Sequence, residues 1–160
     1  HKVMNKIPMT SSGYDKLQEE LKKLVNEDRP NIIEAIAEAR SHGDLSENAE
    51  YQYAKEQQSL IEGKILELEA TTGLAELIDV SQLSGDEIKF GATVEIEDDD
   101  NGDRSSYQLV GEYESDIKNK KLSINSPLAR GLIGKTKNDS VEVNSPKGIK
   151  SYIILSVKFI

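Results

Sequence analysis

Asp44 and Glu47 are the residues of this chain whose types and spacing best suit chemistry. They are three positions apart, so at a helix start their carboxylates emerge on the same face. Paired carboxylates suit a hard divalent cation, but Mg²⁺ prefers octahedral oxygen coordination and usually completes it with phosphates and waters. If this pair binds a cation, a partner molecule must therefore supply the remaining ligands.

The same two residues also have a purely structural interpretation. Asp-x-x-Glu at a helix start resembles a capping box, with Asp44 at the N-cap and Glu47 reaching back to its backbone. Because such signals are common, the pattern alone favours capping over metal chemistry. Among their neighbours, His42 could be a ligand or a proton shuttle but is interpreted as a solvated loop residue. Tyr51 could stack on a base or close the loop, and closing the loop is the commoner role. Lys55 is either a phosphate contact or an ordinary helix-surface partner of Tyr51.

Two apolar stripes at helical spacing flank the acidic pair and predict two long helices. Pro30 interrupts the first stripe, which predicts a kink or short break near residues 26–30. Gly43 suits the end of the first helix, and the short loop of residues 41–48 makes the helices antiparallel neighbours. The first stripe contains Tyr14, Leu17, Leu21, Leu24, Ile32, Ile33, Ile36 and Ala39, and the second contains Ala54, Gln58, Ile61, Ile65, Leu68, Thr72 and Ala75.

Near residue 80 the apolar pattern changes from helical to alternating, which predicts a domain boundary. Residues 4–80 are predicted to form an antiparallel coiled-coil hairpin, and residues 81–160 a small antiparallel α+β domain. Residues 1–3 precede Met4, which we expect to be the natural start. Strands are predicted around residues 92–96, 107–109, 122–124, 141–143 and 153–159, with a turn at residues 98–103 and a helix starting at Ser126-Pro127.

Composition limits the classes of function. The chain has no Cys, which excludes disulfides and thiolate metal sites. It has no apolar run of the ~20 residues that span a bilayer, so we expect a cytoplasmic protein without membrane contact. The net charge is −9, with residues 1–83 carrying 16 acids and 9 bases, so bulk nucleic-acid binding is disfavoured.

At these residues the sequence resembles the GreA/GreB family of bacterial transcript cleavage factors. The most specific match is at residues 39–51, which read Ala-Arg-Ser-His-Gly-Asp-Leu-Ser-Glu-Asn-Ala-Glu-Tyr, followed by residues 125–135. The resemblance runs from Ile7 to the end of the chain and also covers residues 7–10, 30–38, 55–58, 78–80 and 90–94.

The resemblance implies a coiled-coil hairpin, an FKBP-like α+β domain and an accessory role rather than enzymatic activity of its own. It implies that the hairpin enters the secondary channel of RNA polymerase. There Asp44 and Glu47 would share a Mg²⁺ with the polymerase, which then cleaves the backtracked transcript. Arg40, Tyr51 and Lys55 would lie near the 3′ end of the nascent RNA.

The resemblance also implies a docking surface for the polymerase on the second domain. It assigns polymerase docking to Asn125, Ser126 and Pro127 and to Gly131, Leu132 and Ile133, with the free protein expected to be a monomer. One alternative is a channel binder that inhibits the polymerase without stimulating cleavage. Another is a prolyl isomerase, which the FKBP-like domain suggests, although the sequence shows no dense aromatic pocket.

Overall fold

The computed structural model describes residues 6–43 and 48–160. The chain forms two units, which we call the hairpin unit and the sheet unit. The hairpin unit contains Tyr14–Ala75, and the sheet unit contains Ile7–Gly13 and Glu76–Ile160. The sequence placed residues 7–13 in the helical domain, whereas the structure groups them with the sheet unit. No helix within the described ranges is long and apolar enough to cross a membrane.

The helices are α1 (Ser11–Lys23), α2 (Arg29–Arg40) and α3 (Ala49–Gly73), and a π-helical turn at Leu24–Asp28 joins α1 to α2. In this turn the Arg29 amide donates to the Leu24 carbonyl, five residues back. Pro30 lies in the first turn of α2. The chain thus accommodates proline by widening one turn just before it, since the ring would otherwise clash with the preceding turn.

Helices α2 and α3 pair antiparallel. Arg29, at the start of α2, contacts Glu62 with two side-chain bonds of 2.7 and 2.8 Å, whereas Ala39, near its end, contacts Asn48 just before α3. The predicted seam is confirmed at three buried positions of α3, namely Ala54, Ile65 and Leu68. At its end the seam prediction was wrong: Thr71 is buried rather than Thr72, and Ala75 lies beyond the helix in a strand.

The sheet unit contains a two-stranded and a five-stranded sheet. The larger sheet has the order β5-β4-β3-β7-β6 and is antiparallel except where β5 runs parallel to β4, which the sequence did not predict. One short helix, α4 (Pro127–Leu132), accompanies it. The strands are β1 (Ile7–Thr10) and β2 (Ala75–Ile78) in the small sheet, and β3 (Thr93–Asp98), β4 (Arg104–Val110), β5 (Lys121–Ser123), β6 (Ser140–Ser145) and β7 (Gly148–Lys158) in the large one.

The core of the sheet unit lies on one face of the large sheet. Val94 and Ile96 alternate into it from β3, and Ala129 and Leu132 close it from α4. The burial of these apolar side chains is what stabilises so small a unit. The structure therefore confirms the predicted α+β class, with a helical hairpin followed by a mainly antiparallel sheet.

The acidic segment after β3 is a hairpin turn, as predicted. Asp98 is buried, and its carboxylate accepts from the Asp100 amide at 2.8 Å and from Lys150 at 3.1 Å. The Asp100 amide and then the Lys150 ammonium hold the pKa of Asp98 below its usual range. This carboxylate therefore serves the turn.

Candidate functional site

The Asn48 side chain joins the ends of α2 and α3 at the distal end of the hairpin. Its amide nitrogen donates to the carbonyl of Ala39, in the last turn of α2, at 2.6 Å. Its amide oxygen accepts from the Tyr51 backbone at 3.0 Å, which makes Asn48 the N-cap of α3. Helix ends leave unpaired carbonyls and amides, and here one residue satisfies one group from each helix. We call this pair of bonds the Asn48 clasp.

Asp44 and Glu47 lie outside the described residues, directly between Gly43 and the clasp. The described residues that follow them nevertheless show whether Asp44 is the N-cap of helix α3. Helix α3 begins at Ala49 and its N-cap is Asn48. The capping box that the sequence suggested, with Asp44 as the N-cap, therefore does not belong to this helix.

The described residues beside Asp44 and Glu47 are exposed and polar. Arg40 is the last residue of α2, and Ser41 follows as its C-cap. Gly43 has a φ of +115°, a conformation that favours glycine. His42 Nδ1 lies 3.7 Å from a carboxylate oxygen of Glu50, with both side chains more than half exposed. Because these groups face solvent, a charge presented here remains accessible to a partner.

Two tyrosines near the clasp differ in exposure. Tyr51 is half-buried, whereas the Tyr53 side chain is 64% exposed. Tyr53 lines a shallow groove of about 270 Å³ between α2 and α3, with Ile32 and Glu50 among its other walls. Lys55 is exposed and donates to Gln58 at 3.2 Å, so its ammonium remains on the surface. For stacking on a base, Tyr53 offers more accessible surface than Tyr51.

The predicted docking loop is ordered by short-range hydrogen bonds. Ser126 is the N-cap of α4, and its hydroxyl accepts from the Ala129 amide at 3.3 Å and donates to the Ser123 carbonyl at 2.7 Å. Asn125 donates its backbone amide to the Ser123 hydroxyl at 3.1 Å and its side-chain amide to Glu112 at 3.4 Å. Asn125 and Pro127 are exposed. The loop therefore presents exposed residues on a fixed backbone.

The second set of predicted docking residues is divided between surface and core. Ile133 is 41% exposed, but Leu132 is fully buried in the sheet-unit core. A Cβ at Gly131 would come within 3.0 Å of Val141, so this glycine permits close packing of α4 on β6. Leu132 and Gly131 therefore act through packing, and only Ile133 offers a side chain to a partner.

No cluster of three or more potential metal ligands exists within residues 6–43 and 48–160. The donors that the sequence predicted, Asp44 and Glu47, lie outside these ranges, and their carboxylates are of the chemical type that Mg²⁺ accepts. Two carboxylates leave an octahedral shell incomplete. The donor set thus fits a cation shared with a partner better than one held by this chain alone.

Fold and site together define a protein with a helical hairpin whose connecting sequence contains Asp44 and Glu47. A family model described as "Transcription elongation factor, N-terminal" matches residues 7–77, and one described as "Transcription elongation factor, GreA/GreB, C-term" matches residues 83–159. The chain belongs to the GreA/GreB family of transcription elongation factors, as the sequence motifs indicated.

Curated relatives match along nearly the whole chain. Transcription elongation factor GreA of Mesorhizobium japonicum is 57% identical over 157 residues, covering 98% of this chain and all of the relative. GreA of Brucella anthropi is 58% identical over 157 residues with the same coverage. The solved structure of GreA factor homolog 1 from Thermus thermophilus is 26% identical, covers 96% of this chain and 99% of its own, and gives a TM-score of 0.45.

Two of the residues that organise these sites were missed by sequence reasoning. Asn48 was noted only as part of the motif, although an Asn immediately before a helical stripe is a recognised N-cap signal. Glu112 could not have been found, because its partner Asn125 is 13 residues away and only the fold brings them together.

Proposed function

We propose that this protein binds bacterial RNA polymerase and stimulates the polymerase's own cleavage of backtracked transcripts. In this proposal the hairpin enters the secondary channel, and the docking loop of residues 125–127 contacts the polymerase outside it. Asp44 and Glu47 act at the polymerase active site. The protein is an accessory factor, since the hydrolytic centre belongs to its partner.

The observation that carries this proposal is the Asn48 clasp. It fixes the two chain ends on either side of residues 44–47 at the distal end of the paired helices. Because Asn48 supplies the N-cap of α3, neither acid is needed to cap that helix. Helix α3 alone has 25 residues, a length of about 37 Å at 1.5 Å per residue. Such a helix pair supports delivery of two carboxylates into a deep, narrow site.

Two carboxylates would help to hold a second Mg²⁺ that the polymerase binds weakly by itself. When bound, that ion would supply an activated water for hydrolysis of the phosphodiester. The role of this chain is to add oxygen ligands and to orient them. Arg40 and Lys55 supply positive charge near the transcript's 3′ end, with Lys55 as a compact charge rather than a bidentate donor. Tyr53 is added to them as the exposed aromatic residue.

Transcript cleavage in a stalled, backtracked polymerase complex tests the proposal. We expect the wild-type protein to accelerate cleavage, and Asp44→Asn or Glu47→Gln to abolish most of the acceleration while polymerase affinity stays the same. A fall of at least about a hundredfold is expected, since the change removes charge at a catalytic metal. Glu34→Gln, an exposed acid on α2, is the matched control for the loss of one negative charge.

The docking loop is tested in the same assay by a different readout. Ser126→Ala removes the N-cap of α4 and should weaken polymerase binding, whereas cleavage at saturating protein stays near the wild-type value. Unchanged cleavage in both Asp44→Asn and Glu47→Gln would refute the assigned roles. Slower cleavage in the presence of the wild-type protein would favour the inhibitory channel binder instead.

A further inference from the structure

The first helix of the hairpin begins with an incomplete cap. Thr10 precedes α1, and its hydroxyl accepts from the Gly13 amide at 3.1 Å, which is the usual N-cap bond. In a complete capping box the third residue of the helix is a Glu or Gln, whose side chain accepts from the N-cap backbone amide. In α1 the third residue is Gly13, which has no side chain. The sequence Thr-Ser-Ser-Gly therefore lacks half of the box.

Glu114, 104 residues further along the chain, occupies the position of the missing group. Its carboxylate accepts from the Thr10 backbone amide at 3.1 and 3.2 Å, and it also bonds the Thr10 hydroxyl. The same carboxylate accepts from the Gly111 amide at 3.0 Å. One side chain thus binds the backbone amides of two N-cap residues, Gly111 before the local turn Glu112–Glu114 and Thr10 before α1.

Two glycines make room for this arrangement. A Cβ at Gly13 would lie 2.0 Å from the Glu114 carboxylate, and a Cβ at Gly111 would lie 2.3 Å from the Pro8 carbonyl. Thr10 and Met9 are buried, so water does not replace the bonds that Glu114 makes. The absence of a side chain at position 13 is therefore a requirement of the long-range bond.

We infer that Glu114 is a positioning residue that tethers the first turn of α1 to the turn Glu112–Glu114 within the sheet unit, and that factor activity depends on this tether. The activity meant here rests on the proposed function. Glu112, two residues away, bonds Asn125 of the docking loop. A single short turn therefore joins the loop proposed to contact the polymerase to the start of the helix that leads into the hairpin. With Glu114 shortened, docking is retained but the start of α1 is no longer held.

The tether and a simple helix cap make different predictions for one double variant. Gly13→Glu combined with Glu114→Ala creates a local box, Thr-Ser-Ser-Glu, and clears the space that the new side chain needs. This variant restores the cap of α1 but not the bond from Thr10 to the Glu112–Glu114 turn. Hydrogen exchange in the free protein separates the two. Exchange at the Thr10 amide measures the cap of α1, and exchange at the Gly111 amide measures the bond made by Glu114 in its own turn.

We expect Glu114→Ala to accelerate exchange at both amides by about tenfold or more, as for loss of a hydrogen bond to a charged group. The double variant should protect Thr10 again but leave Gly111 fast. Glu112→Ala is the control, because it removes an acid from the same turn and should leave the Thr10 amide slow. Unchanged Thr10 exchange in Glu114→Ala would overturn the inference.

Cleavage by the backtracked complex then tests the positioning role. We expect Glu114→Ala to lower stimulated cleavage severalfold at unchanged polymerase affinity, and the double variant to remain equally low. Full recovery of cleavage in the double variant would reduce Glu114 to a helix cap and contradict the tether. If the wild-type protein gives no stimulation, the proposed function fails and the positioning role fails with it, while the exchange data still decide whether Glu114 holds α1.

Discussion

Asn48 and Glu114 carry out similar chemistry at two helix starts, but over very different sequence distances. The Asn48 side chain joins Tyr51, three residues ahead, to Ala39, nine residues back. Glu114 reaches Thr10 across 104 residues. The end of the hairpin that carries the acidic segment is thus fastened by local sequence, whereas the first turn of α1 depends on the folded sheet unit.

This difference has a consequence for folding. A cap made by near neighbours forms with little loss of chain entropy, whereas a long-range bond requires a large loop to close first. We therefore expect the Asn48 clasp to form early and the Glu114 bond to form only with the sheet unit. The following variants test the contrast, in order of decreasing effect.

The largest effect is expected for Asn48→Ala. It removes the N-cap of α3 and the side-chain bond to the Ala39 carbonyl, which keeps its bond from the His42 amide at 3.2 Å, so the free energy of unfolding should fall by about 1–2 kcal/mol. Stimulated cleavage should fall strongly because the acidic segment loses its anchor. Chemical denaturation and the cleavage assay measure the two effects. Asn48→Asp is the control, since it keeps the acceptor for Tyr51 but loses the donor; equal damage from both variants would argue that the donor bond alone matters.

An intermediate effect, with an informative sign, is expected for Gly13→Ala. Helix propensity alone predicts that alanine stabilises a helix by about 1 kcal/mol relative to glycine. The new Cβ would displace the Glu114 carboxylate, so we expect a net loss of stability of about 1 kcal/mol instead. Thermal unfolding decides between the two signs. Gly63→Ala in α3 is the matched control, because its Cβ would meet no atom and should stabilise the protein. A more stable Gly13→Ala variant would count against the tether.

The smallest effect is expected for Glu62→Gln, in the middle of the hairpin. The bond from Arg29, opposed in part by desolvation, lowers the pKa of Glu62, so its contribution is present at neutral pH and lost as the pH falls through the folded-state value. Both side chains are well exposed, so solvent screens the pair. Unfolding followed at neutral and at acidic pH should show a small deficit for Glu62→Gln that disappears in acid. An equal loss of stability at neutral and at acidic pH would show that packing, not charge, holds the pair.

Much of the fold was predictable because it follows local patterns. The helical spacing of Ala54, Ile65 and Leu68 gave α3, and the alternation of Val94 and Ile96 gave β3. The end of α3 was predicted less well. Thr71 rather than Thr72 is buried, because burial at the last turn depends on what packs against it, which spacing within one helix does not specify.

The candidate site was predictable in its motif but not in its geometry. The sequence pointed to Asp44 and Glu47, which lie outside the described residues, and it left open which residue caps α3. The structure shows that this residue is Asn48. Leu132 was predicted as a docking residue, but the structure places it in the core. It lies within a specific motif, yet the fold buries it completely, so motif membership did not indicate exposure.

The amino-acid sequence by itself determined the helical stripes, the strand alternation and the motif of residues 39–51, because each depends on residue types at short spacing. It also excluded a thiol site, because the chain has no Cys. Only the tertiary structure decided that Asn48 bridges two helix ends, that Leu132 is core, and that Glu114 completes the cap of α1. These contacts join groups that are near in space but not in the chain. No local pattern encodes them, since their energy depends on a backbone that must fold before the groups can meet.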